Sequence, residues 1–155
     1  MKSNRILIAT DGSAGAAVAV DQGVWLAKML GAEAIFLAVV RSPLPLLGEP
    51  YYQRALTADL RKARTAIANA TLAADERRVP YDTEVVEGSP SEAILEVARN
   101  RDVDMIVVGS RGRGAVTGAV LGSVSSDVVH RADRPVLVAR PGAYARAGET
   151  LRAAV

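Results

Sequence analysis

The sequence predicts a single α/β domain, a doubly wound five-stranded parallel sheet with helices on both faces. Five short apolar segments recur along the 155 residues, and a segment with helical features separates each from the next. Four of the five are continuously apolar, as in strands that helices cover on both sides. The predicted strands are Ile6–Ala9, Ala34–Val40, Thr83–Val86, Met105–Val108 and Val136–Ala139.

The third predicted strand differs from the others, because it lies in the more polar stretch YDTEVVE. We therefore expect it at an edge of the sheet. The first helix is predicted from about Ser13 to Leu30, with Ser13 or Asp11 as its N-terminal cap and Gly31 as its C-terminal stop. Trp25 and Met29 lie at helical spacing, and we expect both in the core.

Three further helices follow from spacing and capping residues. One runs from about Tyr51 to Val79 with a single apolar stripe, formed by Leu56, Leu60, Ala63, Ile67, Ala70 and Ala74. The next begins at the capping box Ser89-Pro90-Ser91-Glu92 and ends near Asn100. The last follows Gly122 and ends near Arg131. The proline-rich segment 41–50 is predicted to be a loop beside the carboxyl end of the sheet, in a position to act as a lid.

Composition excludes several function classes. The chain has no cysteine, so disulfides and thiolate chemistry are excluded, and its net charge of +2 argues against nucleic acid as the main partner. No uncharged apolar run reaches about 18 residues and no signal peptide is visible, so we expect a cytoplasmic protein with no membrane partner. We expect residues 1–140 to form the domain and residues 141–155 a tail.

The segment from Gly109 to Ser125 has the features of a phosphate-binding loop. It follows the apolar run MIVV directly, and the Gly122-Ser123 pair opens a helix whose first amides would face an anion. The only lysines are at positions 2, 28 and 62, so we expect none near this loop, and no Walker A motif is present. This excludes a P-loop NTPase.

A second loop, formed by Asp11, Gly12 and Ser13, follows the first predicted strand. Ligands of doubly wound sheets lie at the carboxyl ends of the strands, where the strand order reverses. If strands one and four are neighbours, Asp11 faces the glycine loop across one crevice. A carboxylate suits ribose hydroxyls or an amino group better than phosphate, so we expect the sugar and base on its side.

The sequence resembles the universal stress proteins, whose ATP-binding members carry G-x2-G-x9-G-[ST] after strand four. Gly109, Gly112, Gly122 and Ser123 match this motif, and ILIATDGS and DRPVLVAR resemble the first and last strands of the family. The resemblance implies that Asp11 and the backbone of Ala9 and Val39 hold adenine and ribose. It also implies contacts to ribose from Gly109 and to triphosphate from Gly112, Gly122, Ser123 and Ser125, with Ser110, Arg111 and Arg113 in the same loop. Val124 is expected among the nucleotide-binding residues.

The resemblance further implies a Rossmann-like sheet of order 3-2-1-4-5, like that of the adenine nucleotide α-hydrolases, with ATP and Mg²⁺ or Mn²⁺ as ligands. It implies a homodimer through strand five, at Val136, Leu137 and Val138. Independently, an apolar edge strand is a liability that pairing with a second copy would remove. The function expected is regulatory ATP binding in stress response or growth control, without catalysis beyond slow ATP hydrolysis.

Other interpretations stay open at this stage. In one the glycines serve loop geometry alone, in another Asp11 only caps the first helix, and in a third Arg111 and Arg113 are solvated. His130 has no companion histidine, so we expect no chemistry from it. A module that binds AMP or a cyclic adenine nucleotide is the main alternative. A receiver domain is disfavoured, because Glu87 and Arg140 stand where it needs aspartate and lysine.

Overall fold

A computed structural model of the chain describes residues 4–43, 45–111 and 121–141. Two predicted site residues, Gly112 and Arg113, lie outside these ranges, as does the predicted tail from residue 142 onward. In the described part, none of the helices combines the length and apolarity needed to cross a membrane.

All five strands are parallel and form one sheet of order β3-β2-β1-β4-β5, as expected. The polar strand β3 lies at one edge and β5 at the other, so the edge position predicted for β3 is confirmed. Every predicted strand is present, and the bounds are β1 Arg5–Ala9, β2 Glu33–Val40, β3 Tyr81–Glu87, β4 Met105–Gly109 and β5 Val136–Ala139.

Helices cover both faces of the sheet. The side chains of β1 alternate, so that Ile6 and Ile8 pack against α1 and α2, whereas Leu7 packs against α3 and α4. Because both faces are buried, the central strands are apolar apart from Arg5 and Glu33 at their first positions, which is why their sequences do not alternate. The helices are α1 Ala14–Leu30, α2 Tyr51–Arg77, α3 Pro90–Asn100 and α4 Ser123–Arg131, and a short 3₁₀ helix spans Pro45–Leu47.

The ends of α1 match their sequence features. The Ser13 hydroxyl accepts a hydrogen bond from the amide of Ala16 at 3.2 Å, and Gly31 adopts the left-handed conformation that ends the helix (φ 61°). The helix α2 ends at Arg77, two residues earlier than predicted, because Arg78 turns into the left-handed region (φ 54°).

Two expectations about side chains are wrong. The side chain of Ser89 makes no capping hydrogen bond to α3, although Pro90 starts the helix as predicted. Ser89 is exposed, so water can satisfy the first amides instead. Met29 is 65% exposed and lies outside the core, because the small residues Ala19 and Ala27 form the buried face of α1 together with Val20 and Val24.

Candidate functional site

A cavity of about 560 Å³ opens at the carboxyl ends of β1, β2 and β4. Strand β1 pairs with both β2 and β4, so the chain crosses from one face of the sheet to the other at this point. The loops after β1 and β4 are therefore neighbours, as the sequence predicts. The volume falls within the range of small-molecule sites.

The structure brings most of the predicted site residues to this cavity. The predicted residues that line it are Ala9, Asp11, Val39, Gly109, Arg111, Gly122, Ser123, Val124 and Ser125. Three other predicted residues, Gly12, Ser13 and Ser110, lie in the same loops but do not line the cavity, and the structure gives each of them a role in shaping its loop.

The loop after β1 is a tight turn built by Asp11 and Gly12. Asp11 Oδ1 accepts a hydrogen bond from the amide of Ser13 at 2.9 Å, and Gly12 takes the left-handed conformation that the turn requires (φ 77°). Ser13 in turn caps α1. Asp11 therefore stabilises its own loop and also lines the cavity, so the two interpretations of this residue are compatible.

The two ends of the loop after β4 are held together by Ser110. Its buried backbone carbonyl accepts hydrogen bonds from the amide of Gly122 at 2.7 Å and from the hydroxyl of Ser125 at 3.2 Å. Its amide donates to the carbonyl of Ala139 in β5 at 2.8 Å. Ser110 thus fixes the first turn of α4 at the rim of the cavity.

Gly109 is required by packing against α1. A Cβ at this position would lie 2.7 Å from the carbonyl oxygen of Gly15, and a Cβ at Gly15 would lie 2.1 Å from that of Arg111. The first turn of α1 therefore lies directly on the backbone after β4. Sequence reasoning did not single out Gly15, although a glycine early in an alanine-rich helix is a feature that points to such a close approach.

Gly122 is not required in the same way. It has an ordinary extended conformation (φ −70°), and a Cβ would meet Ser110, Arg111 and Ser125 at 3.4 to 3.6 Å, which are normal contact distances. Since neither backbone conformation nor packing demands glycine here, its missing side chain leaves space at the cavity wall where α4 begins.

A lysine that the sequence analysis did not assign to the site lines the cavity. Lys62 lies on α2, with Nζ 3.1 Å from Oδ1 of Asp59, and both residues contribute to the wall together with Arg41. Lys62 is far from the glycine loop in sequence, so its place in the cavity could not be predicted from sequence spacing. The apolar stripe of α2 was the available indication, because it places Ala63, the next residue, against Ala38 and Val40 of β2.

The lining of the cavity is divided by polarity. Its apolar part comes mainly from the end of β2, the facing turn of α2 and the start of α3, and it includes Leu37, Ala38, Val40, Ala63 and Ile94. Its charged part contains Arg41, Lys62 and Arg111 against Asp11 and Asp59, three positive groups and two negative. Such a lining suits an anionic ligand with an apolar portion.

A second cavity, of about 610 Å³, adjoins the first and shares Arg41, Pro90, Ser123 and Val124 with it. Between α3 and α4, the Ser91 hydroxyl is hydrogen bonded to the carboxylate of Asp127. This bond, with a smaller contribution from Arg131, holds the pKa of Asp127 below its ordinary value. Asp127 is therefore ionised at neutral pH and adds a negative charge to this part of the wall.

A cavity at the carboxyl edge of a parallel sheet, at the reversal of strand order, defines a doubly wound α/β domain of the Rossmann-like class. Within that class, the chain belongs to the universal stress protein family, whose family model matches residues 2–140. A relative from Thermus aquaticus, the universal stress protein in the QAH/OAS sulfhydrylase 3′ region, is 37% identical over 135 residues, which are 87% of this chain and 97% of that protein.

Solved structures agree with this assignment. Universal stress protein UspA from Lactobacillus plantarum superposes with a TM-score of 0.80 at 28% identity, and the match covers 90% of this chain and 99% of that one. Two structures with nucleotides show the same fold: a universal stress protein in complex with cAMP (TM-score 0.68, 24% identity, 87% and 94% covered) and one from Archaeoglobus fulgidus in complex with dAMP (TM-score 0.63, 18% identity, 89% and 98% covered).

Proposed function

We propose that this protein binds ATP in the cavity at the carboxyl end of the sheet and acts as a regulatory protein of stress response or growth. The observation that carries this proposal is Gly122. Gly122 carries no side chain at the cavity wall, although neither its backbone conformation nor the packing around it requires glycine. Space at the first turn of a helix is what a phosphate needs to reach the backbone amides.

The two parts of the lining suit the two parts of the nucleotide. The first amides of α4, from Ser123 to Ser125, have no acceptor within the helix, and we propose that they bind the phosphate chain. The apolar wall at the end of β2 suits the base. Asp11 follows β1, which lies between β2 and β4 in the sheet. Its carboxylate is therefore placed between the proposed base and phosphate positions, where it suits the ribose hydroxyls.

A divalent cation, Mg²⁺ or Mn²⁺, is proposed to enter with the phosphates and to neutralise their charge. Within residues 4–43, 45–111 and 121–141, no group of three or more histidine and carboxylate side chains is arranged to hold a metal ion. The proposed cation is therefore bound chiefly through the nucleotide, and the chain contributes hydroxyls such as that of Ser123.

We propose no efficient catalysis at this site. Asp11 accepts a hydrogen bond from the Ser13 amide and lies on the proposed ribose side of the cavity. It is therefore poorly placed to activate water at a γ-phosphate. Slow hydrolysis is the most that this arrangement would support.

The cytoplasmic location stays a prediction from the sequence.

Binding of AMP or a cyclic adenine nucleotide is the alternative. It is favoured by the cAMP and dAMP that two proteins of the same fold carry. The two proposals differ in the use of the α4 amides, because a triphosphate reaches further than a monophosphate.

Calorimetric titration separates these proposals. With Mg²⁺ present, we expect one ATP per chain, bound at least about tenfold more tightly than AMP or cAMP, since charged hydrogen bonds to the outer phosphates are lost with the shorter ligands. Gly122→Glu should abolish binding, because a carboxylate would enter the phosphate space, while Thr57→Glu, on the exposed side of α2, should leave it unchanged. Equal or tighter binding of AMP or cAMP would favour the alternative, and no binding of any of them would refute both.

We also propose a homodimer through β5. This strand forms a sheet edge, and Val136, Leu137 and Val138 are all only partly buried. An apolar edge of this kind is normally paired or covered. In light scattering we expect Val138→Lys to shift the protein to monomer, while Val85→Lys, an exposed valine on the opposite edge strand β3, should leave the dimer intact. An unchanged mass for Val138→Lys would place the interface elsewhere.

A further inference from the structure

We infer that the second cavity binds a sugar that is joined to the outer phosphate of an adenosine diphosphate. This cavity, of about 610 Å³, adjoins the proposed nucleotide site. The inference rests on the proposed nucleotide binding and extends it to a further ligand class, of which ADP-ribose is a simple member.

The two cavities meet where the phosphates are proposed to lie. Their common wall consists of Arg41, Pro90, Ser123 and Val124. Ser123 begins α4, whose first amides have no acceptor within the helix. Arg41 adds a positive charge to the same wall, and a guanidinium group binds phosphate well. A phosphate bound at this junction borders both cavities, so a group attached to it can enter the second.

The second cavity continues the first along the carboxyl edge of the sheet. Ser42 follows β2 and Ser89 follows β3, and these two strands are neighbours. On the side of the helices, α3 supplies Ser91 and α4 supplies Asp127. The volume of this cavity lies in the range of small-molecule sites, so it can hold a whole chemical group beyond the phosphates.

Hydrogen-bond acceptors dominate the wall of the second cavity. The Ser42 hydroxyl donates to Oε1 of Glu87 at 2.5 Å, and the Ser91 hydroxyl donates to the carboxylate of Asp127. Each hydroxyl has one proton, so both serine oxygens offer only lone pairs to a ligand. The carboxylate of Asp127 is likewise an acceptor alone. A group that binds here therefore has to bring hydrogen-bond donors.

A sugar meets this requirement better than a further phosphate or a second base. Sugar hydroxyls donate hydrogen bonds, whereas an ionised phosphate only accepts them and carries the same sign of charge as Asp127. Of the residues described in this wall, only Pro90 and Val124 have apolar side chains, which is little surface for a flat aromatic ring. The wall thus suits a neutral, hydroxylated group.

Two substitutions alter the second cavity without touching the first. Ser89 and Asp127 line only the second of the two cavities. Ser89→Phe fills space and costs no helix cap, because the Ser89 side chain makes no capping hydrogen bond. Asp127→Ala removes an acceptor, and its exposed ion pair with Arg131 contributes little to folding. Thr57→Phe and Glu96→Ala are the matched controls, because both residues are exposed and line neither cavity.

The experiment compares ADP-ribose with ADP on the full chain by calorimetry in the presence of Mg²⁺. We expect the wild-type protein to bind ADP-ribose about tenfold more tightly than ADP, since the sugar adds hydrogen bonds to a charged acceptor. Ser89→Phe and Asp127→Ala should each reduce this ratio to about twofold or less while ADP affinity stays the same. Both control variants should keep the wild-type ratio.

Two results would overturn the inference and leave the proposed function intact. One is equal or weaker binding of ADP-ribose compared with ADP in the wild-type protein. The other is a full preference for ADP-ribose in both Ser89→Phe and Asp127→Ala, which would place the sugar elsewhere. Failure of the wild-type protein to bind ATP or ADP at all would instead refute the proposed function, and the inference with it.

Discussion

Two helices of this protein begin at the cavity with nearly the same backbone geometry but with different residues at the start. The residue before α1 is Ser13 (φ −72°, ψ 165°), and its hydroxyl accepts a helix amide. The residue before α4 is Gly122 (φ −70°, ψ 163°), which has no side chain to do so. One helix start is thus capped by its own serine, whereas at the other the residue in the cap position offers no side chain, as the proposed phosphate site requires.

A second comparison concerns the glycines at the two ends of the loop between β4 and α4. At Gly109 a side chain would collide with the backbone of Gly15, whereas at Gly122 it would meet only normal contacts. Both belong to one sequence motif, yet Gly109 serves packing and Gly122 leaves room. Stability and affinity measurements therefore separate the two roles that sequence reasoning treated as alternatives.

The largest effect is expected from Gly109→Ala. Because the new Cβ would lie 2.7 Å from a backbone oxygen, α1 must shift, and the free energy of unfolding should fall by about 2 to 3 kcal/mol. Urea denaturation measures this change, and Gly15→Ala should show at least as large a decrease. A stability equal to that of the wild-type protein would show that the contact between α1 and the loop is not tight.

The next effect is on affinity. Gly122→Ser should bind ATP about tenfold more weakly, since its hydroxyl would occupy the space and cap the amides offered to phosphate, a difference of about 1.4 kcal/mol. Its stability should equal or slightly exceed that of the wild-type protein, because serine is a preferred cap. Calorimetry with ATP and urea denaturation are measured on the same sample. A parallel loss of stability and affinity would contradict the proposed division of roles.

Removal of the serine cap of α1 should affect stability more than ATP affinity. Ser13→Ala should lower the free energy of unfolding by about 1 kcal/mol, because the Ala16 amide loses its acceptor. ATP affinity should change less than in Gly122→Ser, since Ser13 does not line the cavity. If Ser13→Ala weakened ATP binding more strongly than Gly122→Ser, the open helix start would not be the main phosphate site.

The smallest effect concerns pH at the β3 edge, away from both helix starts. Hydrogen bonding to Arg101, and then to the Thr83 amide, lowers the pKa of Asp82. A lowered carboxyl pKa stabilises the fold above the ordinary value near 4, and this contribution is lost as pH falls through the lower, folded value. Since Asp82 is half exposed, we expect about 0.5 kcal/mol or less.

In Arg101→Met, the free energy of unfolding should fall less between pH 5 and pH 3 than it does in the wild-type protein, because the contribution of Asp82 is absent. Urea denaturation at the two pH values measures this difference. An unchanged difference would mean that the Arg101–Asp82 pair does not stabilise the fold. ATP affinity at neutral pH should stay the same, because neither residue lines the cavity.

The fold was predictable because its elements depend on local pattern. Apolar runs mark the buried strands, and the polar composition of β3 indicates its edge position. The strand order came from the resemblance to a known family and is confirmed. The cavity loops were predictable because parallel strands end at one edge, so the residues after β1 and β4 meet once these two strands are neighbours.

The missed features depend on contacts between distant segments. Lys62 is 60 residues from Gly122 in sequence, and only the packing of α2 on β2 brings it to the cavity. Glycine is required at position 15 because the backbone after β4 packs directly against it, and no periodic pattern in the sequence indicates that contact. Met29 follows the helical spacing of Trp25, yet it is exposed because the alanine-rich side of α1 is buried instead.

The hydrogen bonds at Ser110 have a consequence for how this loop can change. One carbonyl holds the Gly122 amide and the Ser125 hydroxyl, so the register of α4 relative to β4 is set by residues at the two ends of the connection. A change that moves Ser110 would therefore displace the Gly122 amide and the Ser125 hydroxyl together, so the end of β4 and the rim of the cavity shift as one unit.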